Sequence, residues 1–124
     1  MSKKILLVDD SATVLMMERM ILAAERFEIV TAANGLEGQQ KAKSEQPDLI
    51  LMDIVMPQVN GIQACKALRD DPTTRHIPII LVTTRGEADS MEQGYESGCN
   101  DYVTKPVNSA ELLSKVRNLL GAAR

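Results

Sequence analysis

Leu49-Ile50-Leu51-Met52-Asp53-Ile54-Val55-Met56-Pro57 is the stretch that decides the fold of this chain. Four apolar residues run without interruption into a carboxylate, and a proline follows four positions later. Runs of this kind suit a strand buried on both faces, as in a parallel sheet covered by helices on either side. Asp53 then stands at the carboxyl end of the strand, where open parallel sheets place their ligand crevices. Taken alone, the aspartate is better explained as the cap of a following helix. Which reading holds depends on the other charged groups that the fold brings to the same edge.

Working outward, Ile5-Leu6-Leu7-Val8 is a second apolar run, stopped by Asp9-Asp10-Ser11, which can cap a first helix. On that helix Val14, Met17 and Ile21 recur at helical spacing and predict the core-facing stripe, leaving Leu15, Met16 and Met20 surplus to it. Glu28 to Ala32 predicts a second strand closed by the turn pair Asn34-Gly35, and residues 36–45 a polar helix weakened by Gly38. After Asn60-Gly61, a stripe of Ile62, Cys65 and Leu68 marks a third helix that ends at Asp70-Asp71-Pro72. Residues 77–82 predict a fourth strand with Pro78 at its entrance, ending in Thr83-Thr84. Residues 87–97 predict a polar fourth helix closed by Gly98 in the left-handed region, and residues 102–104 a short fifth strand before Lys105-Pro106. Asn108 caps the last helix, with Glu111 three residues on in a capping-box pattern. Five strands alternating with five helices imply an α/β fold, a parallel sheet with right-handed crossovers. The expected architecture is one domain over residues 1–124 with helices on both faces and the flavodoxin-like strand order 2-1-3-4-5.

Composition narrows the function. At 124 residues the chain has room for one domain with a real core. Seventeen acidic against fourteen basic residues, with no long run of either sign, leave no footprint for direct nucleic-acid binding. Cys65 and Cys99 are far apart in sequence without metal-ligand neighbours, so reduced thiols are expected, and the single histidine, His76, offers no histidine-based site. The apolar run after Lys3-Lys4 is too short for a secretion signal, and no segment nears the ~20 apolar residues of a membrane span. A cytoplasmic location without membrane insertion is expected.

In the strand order 2-1-3-4-5 the carboxyl edge gathers Asp9 and Asp10 after strand one, Asp53 after strand three, Thr83 after strand four and Lys105 after strand five. Each alone has a structural explanation: caps for Asp9, Asp10 and Thr83, a solvated surface for Lys105. All five meeting on one edge is much better explained as a site. Three carboxylates packed together raise one another's pKa, and a hard divalent cation keeps them ionised. Oxygen-only ligands favour Mg2+ or Mn2+, and magnesium reserves a coordination position for a phosphate oxygen. Lys105 then supplies a point charge to a phosphoryl oxygen, and the Thr83 hydroxyl a neutral donor. Such a layout suits phosphoryl transfer with a carboxylate as acceptor.

The combination Val8-Asp9-Asp10-Ser11, Leu51-Met52-Asp53-Ile54-Val55-Met56-Pro57 with Asn60-Gly61, Leu81-Val82-Thr83-Thr84, and Gly98-Cys99-Asn100-Asp101-Tyr102-Val103-Thr104-Lys105-Pro106 resembles the CheY-like receiver domain of two-component response regulators. The resemblance covers essentially the whole chain. It implies that Asp53 takes a phosphoryl group from a phosphohistidine on a sensor histidine kinase or histidine phosphotransfer protein. By the same resemblance Asp10 ligates magnesium directly with Asp9 assisting, the Val55 carbonyl joins Asp53 as a ligand, Lys105 binds the phosphoryl group, and Thr83 moves inward to it. Tyr102 matches the family's switch aromatic, and Lys105-Pro106 the family's cis peptide.

With no output domain after the last helix, the chain is expected to act on a downstream protein target through the surface of its fourth helix, fifth strand and last helix. It is expected to be a monomer or weak homodimer with no separate substrate to turn over. Asp53-Ile54-Val55-Met56-Pro57, Val82-Thr83-Thr84 and residues 101–107 are similar to regulators of type IV pilus motility and related chemosensory systems. Leu15, Met16 and Met20 beside the acidic edge suggest a docking patch for the kinase or phosphotransfer helix, since methionines suit adaptable interfaces. Cys99 and Asn100 replace the alanine and aspartate usual in the family, a change expected to affect packing only.

Three rival readings are weaker. A phosphohydrolase of the haloacid dehalogenase type needs a second carboxylate two residues after the nucleophile, and Val55 stands there. A dinucleotide-binding domain needs a glycine-rich fingerprint after strand one, which is missing. A phosphorylation-independent interaction module with the same fold is disfavoured by the full set of site residues.

Overall fold

The computed structural model describes residues 2–84 and 96–121. Five parallel strands form one sheet in the order β2-β1-β3-β4-β5: β1 Lys4–Val8, β2 Glu28–Ala32, β3 Leu49–Asp53, β4 Ile79–Thr84 and β5 Asp101–Lys105. The described helices are α1 Ala12–Leu22, α2 Gly35–Glu45, α3 Gly61–Asp70 and α4 Ser109–Leu120. The expected polar helix over residues 87–97 lies outside the described residues except at its last two positions. Gly98 after it has φ +102°, as a left-handed terminus requires.

The apolar runs work as the pattern demands. Leu6, Val8, Ile50, Met52, Ile79 and Leu81 pack on one face against Ala42 of α2 and Ile62, Ala64, Cys65 and Leu68 of α3. Their alternate neighbours Ile5, Leu7, Leu49, Leu51, Ile80 and Val82 pack on the other against Leu22 of α1 and Leu112 and Val116 of α4. Every β3 residue is buried, so the strand has no polar face to offer.

Several local expectations shift. Asn34-Gly35 is a helix start, not a turn: the Asn34 side chain accepts the Glu37 N–H and Gly35 opens α2. Gly38 lets α2 sit close to β1, since a Cβ there would stand 3.0 Å from both Val8 methyl carbons. Asn60 and Gln63 form a complete capping box at α3. Asn108 accepts the Glu111 N–H at 2.9 Å and caps α4. Strand β4 begins after Pro78, whose carbonyl accepts the Ile50 N–H, and it runs on through Thr83 and Thr84.

Asn100 does more than pack. Its Oδ1 accepts the Ile79 N–H at 2.9 Å and an Arg69 guanidinium N–H at 2.8 Å. Arg69 also donates to the carbonyls of Gly98 and Ile77, so one side chain ties the C-terminus of α3 to the entrances of β4 and β5. Cys99 does pack, half-buried against the α2–α3 side of the core, and both cysteines are free thiols.

The core-facing stripe predicted on α1 holds at Ile21, which packs half-buried against the core, and fails at Met17. Leu15 packs half-buried against the core and Leu22 is fully buried, whereas Met17, predicted for the core, is 47% exposed. Between the buried positions lies Glu18. No described helix is long and apolar enough to cross a membrane.

Candidate functional site

The sheet register brings the predicted groups to one end. Val8 pairs with Met52, Asp53 with Val82, Thr83 with Thr104 and Thr84 with Lys105. Asp9 follows β1 directly, and its N–H extends the ladder to the Ala32 carbonyl at 3.1 Å. Its Oδ1 accepts the Ser11 N–H at 2.9 Å, while the Ser11 hydroxyl caps α1 by accepting the Val14 N–H. Capping is therefore Ser11's work, and Asp9 keeps a second oxygen for the site.

That oxygen and Asp53 share one cation. Lys105 Nζ lies 3.2 Å from Asp53 Oδ1 and 3.6 Å from Asp9 Oδ2. Asp9, Asp10 and Asp53 each place a carboxylate oxygen within 4.8 Å of the others, with Asp9 and Asp53 buried and Asp10 exposed. Asp9 Oδ2 is buried without a hydrogen-bond partner. Burial is the main force raising the Asp53 carboxyl to about 6, with the nearby Asp9 charge second and Lys105 opposing both. Asp9 is raised as well, again chiefly by burial, against the pull of the Ser11 N–H and Lys105. Burial alone would lower the Lys105 ammonium, but attraction to Asp53 and Asp9 outweighs it and the pKa is raised. Mutual repulsion of the carboxylates is thus the smaller part of the effect expected from sequence.

Thr83 is buried inside β4, one residue before its end, and belongs to the strand where a position just after it was expected. The Val55 side chain is 60% exposed. Tyr102 lies on the edge strand β5, beneath α4, with Lys115 Nζ 5.0 Å from its ring centroid. The Lys105-Pro106 peptide is cis, as the resemblance implied. Of the three proposed docking residues, Met16 and Met20 are 56% and 69% exposed, and half-buried Leu15 lines one groove with them.

Glu18 was not expected here. It is 2% exposed, its Oε1 lacks a hydrogen-bond partner, and its pKa is raised to about 8, first by burial and then by Asp9. Beside it, a cavity of about 100 Å³ separates Val14, Met17 and Ile21 from the turn Lys105-Pro106-Val107. The place of Glu18 with Leu15 and Leu22 on one helical face, three residues after the first and four before the second, did not single it out, because Val14, Met17 and Ile21 form an equally regular stripe.

Comparison with known proteins agrees with this architecture. Residues 5–117 match the response regulator receiver domain. The chain is 43% identical over 120 residues to the response regulator PleD of Caulobacter vibrioides, covering 96% of this chain but only 26% of PleD. It is 40% identical to protein PilH of Pseudomonas aeruginosa, covering 94% of this chain and 97% of PilH. The crystal structure of the receiver domain of a sensor histidine kinase from Pseudomonas aeruginosa PAO1, with a magnesium ion coordinated in its active-site cleft, superposes with a TM-score of 0.90. That match has 28% identity and covers 98% of this chain and 99% of that one. With this fold, this strand order and this match over most of its length, the chain belongs to the response regulator receiver domain family of two-component signalling.

Proposed function

We propose that the chain is a phosphorylation-dependent signalling switch whose residues 1–124 work as one receiver unit. Asp53 accepts a phosphoryl group from the phosphohistidine of a sensor histidine kinase or histidine phosphotransfer protein. The observation that carries this reading is the Lys105 ammonium 3.2 Å from Asp53 Oδ1, beside three carboxylate oxygens within 4.8 Å of one another. A carboxylate oxygen of Asp53 forms the new P–O bond as the P–N bond to imidazole breaks, and the imidazole leaves with the bonding pair. Lys105 neutralises one phosphoryl oxygen and the Thr83 hydroxyl donates to another, so the protein's part is positioning and charge compensation.

The residues fit a divalent cation: the donors are all oxygen, and the buried Asp9 Oδ2 has no hydrogen-bond partner. Asp9, Asp10, Asp53 and the Val55 carbonyl would hold Mg2+, or Mn2+ in its place, which when bound offsets charge on the transferring group. Tyr102 and the surface of residues 87–97, β5 and α4 then carry the change to a protein target, as monomer or weak homodimer and with no separate substrate turned over. Similarity to PilH over nearly its whole length, beside the likeness of residues 53–57, 82–84 and 101–107 to pilus-motility regulators, supports a motility or chemosensory output, and we propose a cytoplasmic setting with it.

Incubation with Mg2+ and a small acyl phosphate, followed by mass spectrometry, tests the reading. One phosphoryl group is expected on Asp53 and none in Asp53→Asn. An unmodified wild-type chain would leave a receiver fold that binds partners without phosphorylation.

Leu15, Met16 and Met20, which line one groove on α1, are proposed to dock the phosphodonor protein. Met16→Glu is expected to slow transfer from that protein about tenfold, the loss of one ordinary interface contact, while the rate with acyl phosphate stays unchanged. Equal slowing with both donors would make the methionines structural.

A further inference from the structure

Lys115 of α4 is held by three anchors. Its ammonium donates to the Tyr102 carbonyl at 2.6 Å and pairs with Asp101 Oδ1 at 3.3 Å and Glu111 Oε2 at 3.6 Å. Three oxygens around a side chain only 23% exposed make this a positioned cation rather than a wandering surface lysine. The same ammonium stands 5.0 Å from the centroid of the Tyr102 ring. At that range a cation is attracted to the ring's electron-rich face, and the attraction strengthens as the pair is removed from water. Asp101 completes the arrangement from the strand side, because its Oδ1 also accepts the Tyr102 N–H at 2.8 Å.

We infer that Lys115 is a positioning residue for Tyr102, a cation that holds the ring in its present place until phosphorylation at the other end of β5 draws it away. Two features give the arrangement its direction. The anchors of Lys115 are backbone and carboxylate oxygens that do not depend on the ring, so the cation stays when the ring leaves. The ring, by contrast, gives up the cation's attraction whenever it turns off the ammonium, so the present position is favoured. At a partly exposed site the bias amounts to about two- to fivefold in the ratio of ring positions. The bias sets the threshold at which a phosphoryl group shifts the surface of β5 and α4. This inference rests on the proposed role of Tyr102 as the switch aromatic.

NMR of ring-labelled tyrosine tests it, with Tyr95→Phe isolating the Tyr102 signals, in wild type, Lys115→Met and Lys115→Arg. Each protein is followed before and after Mg2+ and acyl phosphate, with modification of Asp53 measured by mass on the same samples. In wild type the Tyr102 signals are expected to move on phosphorylation. In Lys115→Met, before phosphodonor is added, they are expected to lie displaced towards the phosphorylated position by a two- to fivefold change in ratio, and Lys115→Arg to restore the wild-type position. Urea unfolding shows that each variant is folded. Identical ring signals in unphosphorylated wild type and Lys115→Met would overturn the inference, as would failure of Lys115→Arg to restore them. Absence of the Asp53 adduct would instead defeat the switch reading, whatever the ring does.

Discussion

In chelator-treated protein, stability is expected to fall by about 1.4 kcal/mol per pH unit between about pH 6 and pH 7, with the slope halving by about pH 8, and Glu18→Gln to flatten it. The sign follows from the carboxyl's two states. In the unfolded chain Glu18 titrates near 4.5, and in the folded protein burial lifts it to about 8. Between those values the folded state binds a proton that the unfolded state has released, so raising the pH favours unfolding. Asp53 acts in the same direction, but its folded value of about 6 confines its effect to the lower part of the range. Above that, Glu18 carries the slope, which totals on the order of 5 kcal/mol over its whole window. Glu18→Leu removes the buried acid, is compatible with the apolar walls of the neighbouring cavity, and is expected to stabilise the protein at pH 8 by about 2–4 kcal/mol. Urea midpoints across this range check both variants. A slope that persists in Glu18→Gln would place its source elsewhere.

Glu18 also marks the limit of what the sequence made legible. The sheet could be read because β1, β3 and β4 are apolar runs with no polar alternation, cut off by aspartate or threonine, and β2 and β5 are short β-branched runs before Asn34-Gly35 and Lys105-Pro106. The site could be read because Asp9, Asp53 and Lys105 sit at the very ends of those runs, where strand order alone decides what meets. Helix α1 was different. Val14, Leu15, Met16, Met17, Met20, Ile21 and Leu22 put apolar side chains on nearly every side, so periodicity could not choose the buried face. The stripe through Met17 was as regular as the true one through Leu15 and Leu22, and the true one contains a glutamate. A buried acid is recognisable only from its surroundings, which here are Asp9 just after β1, Asp53 at the end of β3 and Lys105 at the end of β5. Asn100 was missed for a related reason: its partners Ile79 and Arg69 are more than twenty residues away.

Gly61→Ala is expected to be the most damaging single-methyl addition near the site, costing about 3 kcal/mol or more and reducing the yield of phosphorylated Asp53 with it. A Cβ at Gly61 would stand 2.3 Å from the Asp53 carbonyl oxygen, 2.9 Å from Ile54 Cα and 3.0 Å from the Asp53 carbonyl carbon. All three are backbone atoms, so no side chain can rotate aside. The Gly61 N–H also donates to the Ile54 carbonyl at 2.8 Å, which pins the start of α3 against the end of β3. Relief must therefore come from moving α3 or the strand end that carries Asp53. The first opens the core at Ile62 and Cys65; the second misaligns Asp53 with Lys105, and small misplacements of reacting groups cost rate steeply. Gly38→Ala is the control, because the nearest atoms the added carbon meets belong to the Val8 side chain, its methyl groups at 3.0 Å, and none is backbone. There the strain is set against the ~1 kcal/mol by which alanine is preferred to glycine within a helix. Urea unfolding and the extent of Asp53 modification, measured on both variants, separate the two sites. A Gly61→Ala protein as stable and as readily phosphorylated as Gly38→Ala would mean that the contact between α3 and β3 yields without cost.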